Sequence, residues 1–143
     1  MNLFVVLLVV FGISVYPPAE DRDNKELQSF IKEFEDHTGK NVNIVVGFGD
    51  NLKSPVIGAC YYKMPPVRNR VVINRSTWDR FTHLERKALV WHELMHCVCY
   101  SNHDSSEIQF GCPASLMHPM LAPHVCIQRY KREYIEDMNR RCK

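Results

Sequence analysis

The sequence has no large excess of charge of either sign. Its 143 residues include 18 Lys and Arg and 16 Asp and Glu, which gives a formal net charge of +2. Binding to a nucleic acid backbone depends on many cations that neutralise phosphates, and such proteins are usually strongly basic. The charge balance therefore argues against nucleic acid as a partner.

Long apolar runs, internal repeats and low-complexity tracts are also missing. Glycine and proline are present at ordinary levels, with 6 and 8 residues, and a chain of this length fits one small domain. No apolar run reaches the roughly 18 residues that span a bilayer. These absences argue against intrinsic disorder, repeat architectures and multi-pass membrane proteins.

A shorter apolar run does occur at the N-terminus, from Leu3 to Val15, and a Tyr-Pro-Pro segment follows it. Its length is typical of a signal peptide, although no Lys or Arg precedes it and no clear cleavage site follows. An uncleaved anchor and a buried first strand are the alternatives. We expect residues 1–19 to form a signal peptide or N-terminal anchor and residues 20–143 to form the functional domain.

Six cysteines are a high number for so short a chain. An even set at this density is typical of disulfide-bonded proteins from oxidising compartments, which agrees with export. Buried free thiols are the alternative. We expect a secreted, periplasmic or otherwise extracytoplasmic protein, with possible membrane anchoring through its N-terminal segment.

Hydrophobic periodicity predicts an α+β domain. Asp23 with Glu26 resembles a capping box, and apolar residues at helical spacing follow, so a first helix is predicted over residues 24–38. Runs of β-branched and aromatic residues, separated by turn residues, predict a small sheet. The predicted strands cover residues 42–48, 56–62 and 70–74.

A second capping box, Thr82 with Glu85, predicts the start of a helix that reaches about Tyr100. After an irregular stretch, apolar residues between Ile127 and Met138 return to helical spacing. The sequence therefore predicts one last amphipathic helix at the C-terminus.

The second helix contains the motif HExxH, with His92, Glu93 and His96. Two imidazoles one helical turn apart can bind the same metal ion, and the intervening glutamate can reach a water on that metal. The motif is short, but it lies on an amphipathic helix that follows a sheet, and another histidine lies downstream. This context favours a metal site over an ordinary pair of surface histidines.

A catalytic zinc usually takes three protein ligands and keeps one position for water. His103, seven residues after His96, is the first candidate for the third ligand if the chain turns directly after the helix. Asp104, an oxygen ligand, is the second candidate. Cys99, which shares the helical face of the two histidines, is the third.

With these residues the sequence resembles the metzincin clan of zinc peptidases, whose signature is HExxHxxGxxH followed by a turn that contains methionine. The segment 115–119, Ser-Leu-Met-His-Pro, resembles this Met-turn. The sequence is similar to small metallopeptidases known from bacterial and phage genomes, which share the HExxHC start, a downstream His-Asp and an S-[IL]-M-x-P turn. The resemblance covers about residues 24–141.

The sequence departs from the metzincin signature just after the helix. Cys99 stands at the position of the turning glycine, Asn102 stands at the position of the third histidine, and His103 follows one residue later. The turn must therefore be wider here. We expect Asn102 to adopt the left-handed backbone conformation in place of the missing glycine, since asparagine tolerates this conformation. A disulfide between Cys97 and Cys112 is the pairing we consider, since it would tie the Met-turn segment to the back of this helix.

The resemblance implies a zincin or metzincin-like α+β fold, with a small mixed sheet packed on the active-site helix, then a Met-turn and a C-terminal helix. It implies a zinc-dependent endopeptidase that hydrolyses peptide bonds through a zinc-bound water activated by Glu93. The expected ligands of Zn²⁺ are His92, His96 and His103, and His118 is a candidate transition-state donor. The expected partner is a protein or peptide substrate, bound by a monomer along an edge strand.

Two other functions compete with this one. A catalytically weak or inactive zincin-fold module would bind metal without useful turnover. A disulfide-stapled secreted interaction domain would contain HExxH by coincidence, and it would bind no metal. The glutamate between the two histidines favours the enzyme.

Overall fold

The computed structural model describes residues 24–50, 52–63 and 67–143. The segment 1–19, predicted as a signal peptide or anchor, lies outside the described residues. The helices and strands, in chain order, are α1 (Lys25–Thr38), β1 (Val45–Gly49), β2 (Gly58–Tyr61), β3 (Arg70–Asn74), α2 (Arg75–Trp78), α3 (His83–Cys99), a 3-10 helix (Gln109–Gly111), α4 (His124–Arg129) and α5 (Lys131–Arg141). None of the helices in these three ranges is both long enough and apolar enough to cross a bilayer.

The first predicted helix is confirmed as α1, and both of its ends are capped. Asn24 is the N-cap residue, and its side chain accepts a hydrogen bond from a backbone N–H of the first turn at 2.9 Å. Gly39 ends the helix with φ 69°. The predicted capping box includes Asp23, which lies outside the described residues; the N-cap is Asn24, and Glu26 pairs with Arg86 of α3. The fully buried side chains of α1 are Leu27, Phe30 and Phe34.

The three strands form one mixed sheet in the order β1-β3-β2, with β1 parallel and β2 antiparallel to β3. The predicted α+β class and small mixed sheet are confirmed, and so is the strand over residues 70–74. The other two strands are shorter than predicted and begin at Val45 and Gly58. Both pair with β3, so its length limits theirs. In the described part of the chain, β2 lies at one edge of the sheet.

Helix α3 packs against α1, α4 and α5 and against strands β2 and β3. Its N-terminus has the predicted capping box, in which the Thr82 N–H donates to the Glu85 carboxylate at 2.8 Å. The indole N–H of Trp91 donates to the carbonyl of Phe30 on α1 at 2.9 Å. Packing on several sides holds α3 at a fixed position in the core. Its buried side chains are Ala88, Leu89, Val90, Trp91, Glu93, Leu94, Met95 and Cys97.

The predicted last helix is two helices, α4 and α5. The backbone leaves helical geometry at Tyr130, with φ −111° and ψ 27°. No glycine or proline occurs between Pro123 and the C-terminus, so the sequence contains no local signal for this interruption. The prediction of a single continuous helix is therefore wrong.

All six cysteines form disulfides, and the predicted bond between Cys97 and Cys112 is wrong. The pairs are Cys60–Cys97, Cys99–Cys142 and Cys112–Cys126. The side chain of Cys97 faces strand β2, since residues of α3 pack directly on that strand. Three disulfides in a chain of this size are typical of extracytoplasmic proteins.

Candidate metal centre

Helix α3 places the two imidazoles of the motif on one face. His92 and His96 lie four residues apart, and their Nε2 atoms are 3.1 Å apart. Each ring uses its other nitrogen to bond a backbone carbonyl: Nδ1 of His92 bonds Leu116 at 2.6 Å, and Nδ1 of His96 bonds Ser101 at 2.7 Å. A carbonyl only accepts, so both Nδ1 atoms carry the proton and both Nε2 atoms keep a lone pair for a metal.

The turn after α3 returns the chain to these imidazoles. Tyr100 adopts the left-handed conformation with φ 54°, and the N–H groups of Tyr100 and Ser101 both donate to the carbonyl of Met95. The expectation that Asn102 would take this role is wrong, because the chain already reverses at the first residue after the helix. Two more residues are then enough to bring His103 back to the helix.

His103 completes a group of three imidazoles. Its Nε2 atom lies 3.0 Å from Nε2 of His96 and 3.2 Å from Nε2 of His92. In the described ranges, these three side chains form the group of potential ligand atoms that lie within 4.8 Å of one another. Nitrogens at these separations can all lie about 2.0–2.1 Å from one ion, which is the usual zinc–nitrogen distance.

The two other candidates for the third ligand are engaged elsewhere. Cys99 is disulfide-bonded to Cys142, so it has no thiolate to offer. The Asp104 carboxylate accepts hydrogen bonds from Ser106 and Arg141. Neither residue belongs to the imidazole group.

The imidazoles are neutral at physiological pH, as metal ligands must be. Burial lowers the pKa of His92 to about 3, and the charges of His96 and His103 act in the same direction. Burial also lowers the pKa of His96 and His103. The site is therefore ready to accept a cation without first releasing protons from these rings.

Glu93 follows His92 on α3, and its side chain is buried. Its side chain is only 5% exposed, and burial raises the pKa of its carboxyl to about 8. The carboxyl lies against strand β2, where a Cβ on Gly58 would be 2.9 Å from Oε1 of Glu93. A strand with a side chain at that position would push the carboxyl away.

The segment 115–119 lies against the same histidines. Met117 is fully buried, its N–H donates to Oγ of Ser115 at 2.9 Å, and its carbonyl accepts the Asp104 N–H at 2.9 Å. Leu116 supplies the carbonyl that orients His92. The segment thus contacts both the helical and the loop part of the imidazole group.

Among the other histidines, His118 interacts with the group. Its charge contributes, after burial, to the lowered pKa of His92 and His103. His83 pairs with Glu26, and His124 bonds the capping residue Thr82, so both act at the far end of α3.

Several residues that support the site carried no signal in the sequence. The hydroxyl of Tyr62 donates to the carbonyl of His96 at 2.8 Å, and the amide of Asn69 donates to the carbonyl of Cys97 at 3.1 Å. These bonds satisfy carbonyls of the last helical turn. Their donors lie about thirty residues upstream, so only tertiary packing brings them there.

The central helix of this small α+β domain carries HExxH, and with a third imidazole at the same point it forms a group that could hold a metal ion. A model of the putative phage metallopeptidase family matches residues 24–119, which is most of the chain. The chain therefore belongs to this family, and membership implies a metal-dependent peptidase. Neither the curated proteins nor the solved structures include a match to the chain.

Proposed function

We propose that this protein is a zinc-dependent endopeptidase of the metzincin type. The observation that carries the proposal is the convergence of three imidazole nitrogens at the helix that also carries the buried carboxyl of Glu93. Three nitrogen ligands with one open position are typical of catalytic zinc, whereas structural zinc is usually enclosed by four protein ligands. His92, His96 and His103 are the proposed ligands.

Bound at these nitrogens, zinc supplies a Lewis acid that polarises the scissile carbonyl and makes water acidic near neutral pH. Glu93 is the proposed general base, which takes a proton from the attacking water on its carboxylate and gives it to the leaving amine. A nearby cation favours the ionised form of this carboxyl, against the effect of burial. His118 is the proposed donor to the developing oxyanion.

The proposed Met-turn is the segment 115–119. Its support is the complete burial of Met117 and the contacts of its backbone with the loop that carries His103. These features, together with the order of helix, mixed sheet, active-site helix and C-terminal helices, favour a metzincin-like arrangement. The one-residue displacement of the third histidine from the clan signature is accommodated by the turn at Tyr100.

The proposed substrate is an extended segment of a protein or peptide. Among the described residues, strand β2 lies at an edge of the sheet and packs on α3 against Glu93, and its side away from β3 is the proposed pairing site for a substrate main chain. We propose that the enzyme acts as a monomer, that it does not bind nucleic acid, and that residues 1–19 direct its export or anchor it. The disulfides and the charge balance support these last points.

The test compares the wild-type chain with Glu93→Gln, both produced in an oxidising compartment. We expect about one zinc per chain in both proteins by elemental analysis. Cleavage of a mixed peptide library, followed by mass spectrometry, should fall by roughly 10²- to 10⁴-fold in the variant. Undiminished cleavage would exclude Glu93 as the base, and zinc without any wild-type cleavage would favour the binding module.

A further inference from the structure

An arginine of the C-terminal helix joins two carboxylates next to the metal centre. Nε of Arg141 donates to Oδ2 of Asp137 at 2.7 Å, and Nη2 of Arg141 donates to Oδ2 of Asp104 at 2.6 Å. The Arg141 side chain is only 23% exposed and that of Asp137 only 8%. Charge-assisted bonds of this length in a half-buried setting are strong and directional.

Asp104 directly follows the proposed third ligand, and it is fixed on several sides. Its N–H donates to the carbonyl of Met117 at 2.9 Å, and its Oδ1 accepts the N–H of Ser106 at 3.0 Å. Arg141 holds its other oxygen. Since residues 103 and 104 share a peptide bond, these contacts also set the backbone position of His103.

His103 depends on its backbone more than the two helical histidines do. The rings of His92 and His96 are each oriented by a carbonyl on Nδ1. In the described part of the chain, Nδ1 of His103 has no such partner, and the residue lies on a loop rather than on α3. The position of its ring therefore depends on the chain on either side of it.

The same hydrogen-bond network also reaches the segment 115–119, whose Leu116 carbonyl orients His92. The hydroxyl of Ser115 donates to Oδ2 of Asp137 at 2.6 Å and accepts the Met117 N–H at 2.9 Å. Helix α5 therefore contacts both the segment that orients His92 and the loop that carries His103. Asp137 and Arg141 lie beyond the residues matched by the family model, so family membership assigns them no role.

We propose that Arg141 is a positioning residue of the metal centre, which holds His103 in place through Asp104. The inference rests on the proposed metal site, and it assigns helix α5 to that site. Outer partners of metal ligands typically change metal affinity by about 10- to 100-fold when they are removed. Arg141 is expected to act on affinity by this amount, although it touches no ligand directly.

The test measures Zn²⁺ affinity of the full chain by competition with a chromophoric chelator. Arg141→Met keeps the aliphatic stem but loses the charge, and we expect about 10- to 100-fold weaker binding. Arg140→Met is the matched control, because Arg140 also bonds Asp137 but is 70% exposed and contacts neither Asp104 nor the ligand loop. This control should bind Zn²⁺ within about threefold of wild type.

A second pair of variants separates positioning from general loss of structure. In a His103→Ala background, Arg141→Met should cause at most about threefold further loss of Zn²⁺ affinity, because the residue through which it mainly acts is gone. Its other contact near the ligands, from Nη1 to Oγ of Ser101, is long at 3.5 Å. The same loss in both backgrounds would overturn the inference. So would wild-type affinity in Arg141→Met alone. A wild-type chain that binds no Zn²⁺ would overturn the proposed function, and this inference with it.

Discussion

His92 and Glu93 are neighbours in the sequence, and burial shifts their pKa values in opposite directions. The imidazole of His92 has its pKa lowered to about 3, whereas the carboxyl of Glu93 has its pKa raised to about 8. In both cases burial disfavours the charged form. The metal-free site is consequently uncharged near neutral pH, and a bound cation would be its main charge.

We expect this burial to make the stability of the metal-free protein depend on pH. The pKa of Glu93 rises from an ordinary 4.5 to about 8 on folding, so the folded chain keeps a proton that the unfolded chain loses. The stability that this proton contributes is complete below pH 4.5. It is lost as the pH rises toward 8, at up to about 1.4 kcal/mol per pH unit.

The measurement is denaturant unfolding of chelator-treated wild type and Glu93→Gln. The variant keeps a neutral side chain at all pH values, and the contributions of the histidines cancel in the comparison. Its unfolding free energy should rise relative to wild type between about pH 5.5 and 7, with the slope given above. A pH-independent difference would mean that the carboxyl ionises normally in the folded protein.

At the scale of single elements, β2 and the last turns of α3 form one unit of the site. The disulfide Cys60–Cys97 joins them, and Tyr62, just after the strand, bonds the carbonyl of His96. Gly58 allows the strand to approach the Glu93 carboxyl closely. The strand thus supports the proposed ligands with its C-terminal end and limits the position of the proposed general base, Glu93, with its N-terminal end.

Gly58→Ala tests this close approach. The added Cβ would lie 2.9 Å from Oε1 of Glu93 and 3.0 Å from Cδ1 of Leu89, so the carboxyl must move. We expect a loss of about 1–3 kcal/mol in unfolding free energy and roughly 10²-fold slower peptide hydrolysis. Zn²⁺ affinity should stay near that of wild type, because the atoms nearest to the added methyl group belong to Glu93 and Leu89.

Kinetics and metal titration of the same preparations measure both effects. Ala59→Ser is the control on β2, since neighbouring residues of a strand point to opposite faces, and it should hydrolyse peptides at nearly the wild-type rate. Hydrolysis by Gly58→Ala at the wild-type rate would show that the carboxyl has room to adjust.

At the scale of the whole molecule, the disulfides connect parts of the chain that meet around the site. Two of them bind the last turn of α3, one to the sheet and one to the C-terminus through Cys99–Cys142. Cys142 directly follows Arg141, so this bond also fixes the end of α5. The third bond, Cys112–Cys126, joins the loop before the proposed Met-turn to α4.

Removing one disulfide at a time should separate stability from metal binding. The two bonds compared are Cys99–Cys142, with a sequence separation of 43 residues, and Cys112–Cys126, with a separation of 14. Loop entropy predicts that their removal lowers the unfolding free energy by about 4 and 3 kcal/mol, respectively. Both cysteines of each pair are replaced by serine, and unfolding and Zn²⁺ affinity are measured. Of these two variants, only the one without Cys99–Cys142 should bind Zn²⁺ much more weakly. Equal weakening in the two variants would contradict a specific role of α5.

Two features that depend on neighbours in the sequence are present as predicted. The HExxH spacing puts His92 and His96 on one helical face whatever surrounds the helix. The capping box of Thr82 with Glu85 is formed within one turn, and it is present in the structure. Features that depend on distant partners were predicted less well. The break at Tyr130 has no local breaker, and the lengths of β1 and β2 follow from their pairing with β3.

The sequence by itself therefore determined the α+β class and a central helix that carries two histidines and a glutamate at metal-site spacing. Only the tertiary structure decided which third side chain reaches them and how the cysteines pair. Cys99 and Asp104 are engaged by Cys142 and Arg141, which lie about forty residues further along the chain. Such contacts depend on how the whole chain packs rather than on local periodicity, and they leave His103 beside the two helical imidazoles.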